Sequence, residues 1–216
     1  MGTIGMPALT VFGDCTSRHA YKLYLLKCVG GLDLEWVFVD ILAGASRRPE
    51  HLARNPMGQV PTLVLDDGRS LPESNAALVY LADGTALWPK DPFDQAQVLR
   101  WLMFEQNQID PALAVSLSIK KATYHLDNAD IIAGYLAPKV ERLLAALEAH
   151  LADGSSTCLV GKGATIADLA VYAYVHEAPS AGFNLAPATD SWLKAVEGLP
   201  GFQSVKQAMA WERQGA

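Results

Sequence analysis

Asn55-Pro56-Met57-Gly58-Gln59-Val60-Pro61-Thr62-Leu63-Val64-Leu65 leads without a break into Asp66-Asp67-Gly68, Arg69-Ser70-Leu71-Pro72 and Glu73-Ser74-Asn75-Ala76-Ala77-Leu78-Val79-Tyr80-Leu81-Ala82-Asp83. Thr62–Leu65 has the β-branched and apolar residues of a buried strand, and Asp66-Asp67-Gly68 has the chemistry of a tight turn. Arg69–Leu71 follows closely enough to be the antiparallel partner. Glu73–Asp83 then carries small and apolar residues at helical spacing, which predicts a helix laid on the sheet. This ββα run decides the fold, because its neighbours must complete the same layer.

Upstream, Ala8–Phe12 is a short apolar run ended by Gly13-Asp14, and a helical stretch from Arg18 to Val29 is closed by Gly30-Gly31. Glu35–Asp40, Glu-Trp-Val-Phe-Val-Asp, is rich in β-formers. Strand, helix and strand in that order predict a parallel pair joined by a crossover. The expectation is an α/β domain over residues 6–83, βαβ followed by ββα. Downstream, Gly84–Pro92 holds two prolines, a glycine and little periodicity, so 84–92 reads as a linker. Residues 93–216 read as a second, all-α domain. Its first pattern runs from Asp94 to about Tyr124, with Pro111 expected to kink or break it. Val140, Leu143, Leu144, Leu147 and Leu151 form an amphipathic stripe. Ile166–His176 is apolar almost all round, which implies burial on every side, and shorter helices are expected around Trp192–Val196 and Phe202–Trp211.

Charge and cysteine usage narrow the function classes. Seventeen Lys+Arg against 23 Asp+Glu leave a net charge of −6, with the basic residues scattered or in pairs such as Arg47-Arg48 and Lys120-Lys121, which excludes a nucleic-acid backbone reader. Cys15, Cys28 and Cys158 are odd in number and far apart, so neither a disulfide framework nor a zinc site is expected, and no metal is assigned. The N-terminal residues lack a basic segment followed by a long apolar one, and Met6 stands where a myristoylation signal wants Ser or Thr. No apolar run approaches the roughly 18 residues of a membrane span. The expectation is a cytoplasmic protein with no membrane partner.

Four local features carry candidate chemistry. Val60-Pro61 is either an ordinary turn before a strand or a cis bond that holds the Val60 N–H and C=O outward for pairing with an extended peptide. Glu73-Ser74 opens a helix; beyond capping, the Ser74 hydroxyl, the free N–H groups and the positive dipole end suit a carboxylate, while Glu73 suits an ammonium. One α-amino-acid head group satisfies both. Ser17, in Asp14-Cys-Thr-Ser-Arg-His19, is either an N-cap or a hydroxyl that donates to a bound thiolate and so lowers its pKa. Thr165-Ile-Ala-Asp168 has capping-box spacing with Asp in the reciprocal position, and this one is read as structural.

Taken together these motifs resemble the cytosolic glutathione transferase superfamily over essentially the whole chain. The specific matches are Asn-Pro-x-Gly-Gln-Val-Pro-x-Leu at 55–63, Glu-Ser-Asn-Ala at 73–76 with Tyr80-Leu81-Ala82, and Thr-Ile-Ala-Asp-Leu at 165–169. Ser17 to Leu26, with Tyr21-Lys22-Leu23 in register, resembles the signature of bacterial and fungal Ser-type members related to the yeast nitrogen-regulator prion protein. The resemblance implies a thioredoxin-like N-terminal domain, an all-helical C-terminal one, glutathione as co-substrate and a homodimer. It further implies that Val60, beside Pro61, pairs with the cysteinyl backbone of glutathione, that Glu73 and Ser74 hold its γ-glutamyl head, and that Gln59, with Arg47 or Arg48, meets its glycyl carboxylate. Ser17 then faces the sulfur. Arg18 and His19 depart from the Gly and Asn usual in that group, leaving His19 as a substitute donor or a surface residue. A small electrophile is expected in a cleft between the domains, near Trp101, Glu105 and Gln108. The implied activity is conjugation of glutathione to that electrophile. The alternatives are glutathione-dependent disulfide or peroxide reduction and a binding module without chemistry; a thioredoxin-type enzyme using its own cysteines lacks a resolving thiol.

Overall fold

The computed structural model describes residues 9–121, 127–153 and 157–214. The expected domain start at residue 6, the strand residue Ala8 and the helical residues up to Tyr124 lie outside them. The chain forms two compact units, one of residues up to Thr85 together with those from Pro200, the other of Ala86–Leu199.

In the first unit β1 (Thr10–Gly13), α1 (Arg18–Val29) and β2 (Glu35–Phe38) make the βαβ half, followed by a single 3-10 turn at Ala45–Arg47 and the short α2 (Pro49–Leu52). β3 (Thr62–Val64), β4 (Ser70–Pro72) and α3 (Ser74–Ala82) make the ββα half. The sheet order is β2-β1-β3-β4, with β1 parallel to β2 and β3 antiparallel to both β1 and β4. Val11 pairs with Leu63, and Leu63 with Leu71, which aligns them across the sheet; α3 packs on β3 and β4, and α1 packs on α3. Seven successive α1 residues, Ala20–Leu26, are buried.

The helix expected at Phe202–Trp211 forms as α9 (Val205–Glu212), but it packs on α1 and β2 in this unit rather than with the helical domain. Tyr21 Oη donates to Gln203 O at 2.8 Å, and the Trp211 ring lies 5.1 Å from that of Tyr24. Gly201, at φ 81°, passes so close to the α1 end that a Cβ would collide with the Cys28 carbonyl. Amphipathic spacing tells that a helix is buried on one face but not against which partner, so the sequence left α9 with its nearest helical neighbours.

The helical unit contains α4 (Pro92–Phe104), a π-helical segment (Glu105–Ala114), α5 (Val115–Lys120), α6 (Ala129–Leu151), α7 (Ile166–Val175) and α8 (Pro187–Glu197). Asp91 caps α4 through the N–H groups of Phe93 and Asp94 at 2.9 and 3.1 Å, with Pro92 at the first helical position. Pro111 does not break this helix. The backbone widens into π turns around it, moving the preceding carbonyl away from the ring, and Asn107 Nδ2 takes the Met103 carbonyl at 2.9 Å. α6 buries Leu136 together with the predicted stripe of Val140, Leu143, Leu144, Leu147 and Leu151, and every residue of α7 is buried. Among the described residues no helix is long and apolar enough to cross a membrane.

Thr165 and Asp168 form the expected capping box at the start of α7. Asp168, fully buried, does more than cap. Its Oδ1 accepts from Leu159 N and Trp192 Nε1 at 2.8 and 2.9 Å, while Oδ2 accepts from Thr165 N and Oγ1 at 2.8 and 3.1 Å. Burial pushes its carboxyl pKa up from the ordinary range, against four hydrogen bonds that favour the anion. Asp168→Ala strands three buried N–H donors at about 1–3 kcal/mol each, so unfolding free energy should fall by about 3 kcal/mol or more. Urea denaturation checks this; an unchanged midpoint contradicts it.

Candidate active site

The turn from β1 to α1 is built by Asp14. Its Oδ1 accepts from Thr16 N and Oγ1 at 2.9 and 2.6 Å, its Oδ2 from Ile41 N at 3.2 Å, and its carbonyl from Ser17 N at 2.9 Å. Ser17 occupies the N-cap position of α1 with extended backbone, φ −83° and ψ 123°, yet its side chain makes no cap bond. The half-buried hydroxyl therefore stands at a helix N-terminus with its donor unspent among the described residues. Cys15, two positions earlier, is fully buried, and its N–H points at both oxygens of Glu212, 3.1 and 3.0 Å away. Burial, then Glu212, pushes its thiol pKa far up, which removes it as a thiolate nucleophile at neutral pH.

A second loop faces outward before β3. Asn55 Nδ2 donates to Gln59 O at 3.0 Å and lies 3.3 Å from Thr62 Oγ1, while Asn55 Oδ1 accepts from Met57 N at 3.0 Å. His51, also buried, donates from Nε2 to Gln59 O at 2.9 Å. Arg47 Nη1 binds the Met57 carbonyl at 2.9 Å and lies over Gly58, whose φ of 61° and missing Cβ both matter: a Cβ would sit 2.8 Å from that nitrogen. Both arginines are exposed, and Arg47 is the one whose guanidinium holds the loop. With the loop held this way the Gln59 side chain is exposed, the Val60–Pro61 bond is cis, and no hydrogen bond among the described residues uses the Val60 N–H or C=O.

The third part is the start of α3. Glu73 is exposed and has φ 72° and ψ 106°, a left-handed conformation rare for a side-chain-bearing residue and often found at functional positions. Ser74 begins the helix and is buried, with its Oγ 3.2 Å from His19 Nδ1. His19, expected as a possible substitute at the sulfur, is thus engaged with the head-group candidate. Beside it the fully buried Lys22 of α1 donates from Nζ to Asn75 Oδ1 at 2.7 Å. An ammonium and two helix N-termini give this corner positive character. Sequence reasoning used Lys22 only as a register marker and passed over His51 and Glu212, because nothing local marks a residue whose partner is remote.

In the helical unit the three residues expected to meet a second substrate separate. Trp101 packs edge-on against Phe104 and His150 at 5.4 and 4.9 Å, and Glu105 is fully buried beside Tyr174, whose hydroxyl pKa is pushed well up by burial and by Glu105 and Asp110. Both point inward, one turn apart on the same face, so neither lines an open cleft. Gln108 is exposed and lines a cavity of about 310 Å³ with Phe104, Pro111, Leu136, Lys139 and Arg142. No cluster of His, Cys, Asp and Glu among the described residues suits a metal ion.

Residues 7–83 match the glutathione S-transferase N-terminal domain and residues 117–210 the glutathione S-transferase C-terminal domain. Glutathione S-transferase 3 of Zea mays is 31% identical over 218 residues, 94% of this chain and 96% of its own length. Protein URE2 of Eremothecium gossypii is 28% identical over 157 residues, 68% of this chain and 44% of its own. The crystal structure of a glutathione S-transferase from Pseudomonas fluorescens shares 36% identity and a TM-score of 0.84, covering 91% of this chain and 98% of that one. With a Ser-bearing turn at a helix N-terminus, an unpaired backbone before β3 and both domains matched in order, the chain belongs to the glutathione S-transferase family.

Proposed function

We propose that this glutathione transferase binds glutathione extended along the edge formed by the β1–α1 turn, the Asn55–Pro61 loop and the start of α3, and joins its sulfur to a small electrophile. In this reading Val60 offers its unpaired N–H and C=O to the cysteinyl backbone. Ser74 and the α3 N–H groups take the γ-glutamyl carboxylate, Glu73 accepts from its ammonium, and Gln59 with Arg48 meets the glycyl carboxylate. Arg47 keeps the loop in shape. The observation that carries the reading is the contrast in one turn between Ser17, with an unspent hydroxyl at a helix N-terminus, and Cys15, sealed against Glu212.

The chemistry is short. The thiol loses its proton to solvent, Ser17 donates a hydrogen bond to the resulting sulfur anion, and the α1 N-terminus adds favourable potential. The sulfur lone pair forms a C–S bond with the electrophilic carbon while the leaving group departs with its electron pair. Binding both reactants supplies proximity. Of the three residues first assigned to the electrophile, Gln108 alone is exposed for that role. Exposed apolar side chains on both units, Met57, Met103, Ile131 and Tyr135, support a homodimer, and three cysteines without a disulfide support a cytoplasmic setting.

Ser74→Ala should weaken glutathione binding ten-fold or more, the loss of a hydrogen bond to a charged group worth about 1.5–3 kcal/mol. Calorimetric affinity equal to the parent's moves the head-group site elsewhere. Ser17→Ala should raise the pKa of bound glutathione and lower turnover of a chlorodinitrobenzene-type electrophile at neutral pH, with affinity largely kept; Cys15→Ala should leave turnover close to the parent's. Full activity of Ser17→Ala with a reducible glutathione adduct on Cys15 reverses the assignment. Turnover of a small disulfide but not the electrophile indicates a reductase, and binding without either indicates a module. Sedimentation should give a dimer; a stable 23.2 kDa monomer at micromolar concentration contradicts it.

A further inference from the structure

We propose that Glu212, the last residue of α9, is a positioning residue for Ser17. The proposal rests on Ser17 as the donor to the glutathione sulfur. Three successive amides lead into α1, and each has a fixed acceptor: Thr16 N and Ser17 N bind Asp14, and Cys15 N binds Glu212. Asp14 is part of the turn itself, so it moves with it. Glu212, 197 residues away, is the acceptor supplied to these amides by another element, and together with the Ile41 N–H bond to Asp14 Oδ2 it sets where the turn stands relative to the rest of the unit.

The anchor is itself built in. Glu212 is 3% exposed, and a carboxylate so removed from water is tolerated only where donors replace the water it has lost. α9 is brought to it by a capping box at Ser204 and Gln207, by the Tyr21 bond to Gln203, by the Trp211–Tyr24 ring contact and by the close passage at Gly201. The capping box holds the start of α9 itself, and the other three tether the α9 segment to α1, the helix whose N-terminus presents Ser17. Burial raises the Glu212 carboxyl pKa, and the bonds from Cys15 oppose that rise. A hydroxyl that must donate to one sulfur atom loses its effect when misplaced by about 1 Å, so an anchor two residues away governs its efficiency.

The test compares Glu212→Ala, Glu212→Gln and Glu212→Asp with Ser17→Ala in the full chain, reading the pKa of bound glutathione from thiolate absorbance, glutathione affinity by calorimetry, kcat and KM. Glu212→Ala should raise the thiol pKa in the same direction as Ser17→Ala and lower kcat about ten-fold at neutral pH, the equivalent of one aligned hydrogen bond, with affinity kept. Glu212→Gln retains an oxygen acceptor for Cys15 N–H and should recover most of kcat; Glu212→Asp falls one methylene short and should not. That last pair decides the matter if Glu212→Ala does not fold. Adding Glu212→Ala to Ser17→Ala should leave the thiol pKa where Ser17→Ala alone puts it. A thiol pKa unmoved by Glu212→Ala or Glu212→Asp, while Ser17→Ala moves it, overturns the positioning role and leaves Ser17 standing. A thiol pKa unmoved by Ser17→Ala removes the Ser17 reading, and this proposal with it.

Discussion

Strand direction is the constraint on which the rest of the site depends. β3 runs antiparallel to both β1 and β4, so β1 and β4 point the same way and end at one edge of the sheet. α1 and α3 follow those two strands and begin at that edge, and β3, running oppositely, starts there. Ser17, Val60 and Ser74 therefore converge although 57 positions separate the first from the last. The contact between His19 and Ser74 and the bond from Lys22 to Asn75 are the local record of that convergence.

Much of this was legible in the sequence because its signals are local. The Asp66-Asp67-Gly68 turn, the proline ahead of β3, the Thr165–Asp168 spacing and the α6 stripe each announce their structure within a few residues. What escaped depends on distant partners. The spacing of α9 required a buried face and was silent on whose; His51 and Glu212 look like surface residues until the Gln59 carbonyl and the Cys15 amide are brought to them. The two arginines were equivalent on paper, and the loop geometry distinguishes them by engaging Arg47 with the Met57 carbonyl.

The acids of this chain follow a shared pattern. Asp14, Glu148, Asp168 and Glu212 all accept from backbone N–H groups of segments they do not belong to, such as Ile41, Ala188, Leu159 and Cys15. Asp168 and Glu212 each fasten an irregular stretch of chain to a helix, Asp14 joins two loops and Glu148 joins α6 to the start of α8, the task a disulfide performs in small secreted folds. A surplus of acidic residues thus has a structural use inside the molecule, while the buried Lys22 and the helix N-termini contribute positive potential at the candidate site.

The wide turns after α4 alter how that helix has to be read. Trp101, Glu105, Ile109, Leu113 and Leu117 are all buried, one at every fourth position. In an undistorted helix such a row advances about 40° around the axis at each step, so its ends would face nearly opposite ways. The π turns rotate less per residue and cancel the drift, giving a straight seam of period four. Counting at the ordinary helical period mislabels the faces along this stretch, and removing or inserting a single residue within Glu105–Ala114 would turn the Leu113 and Leu117 end of the seam out of line with the Trp101 end.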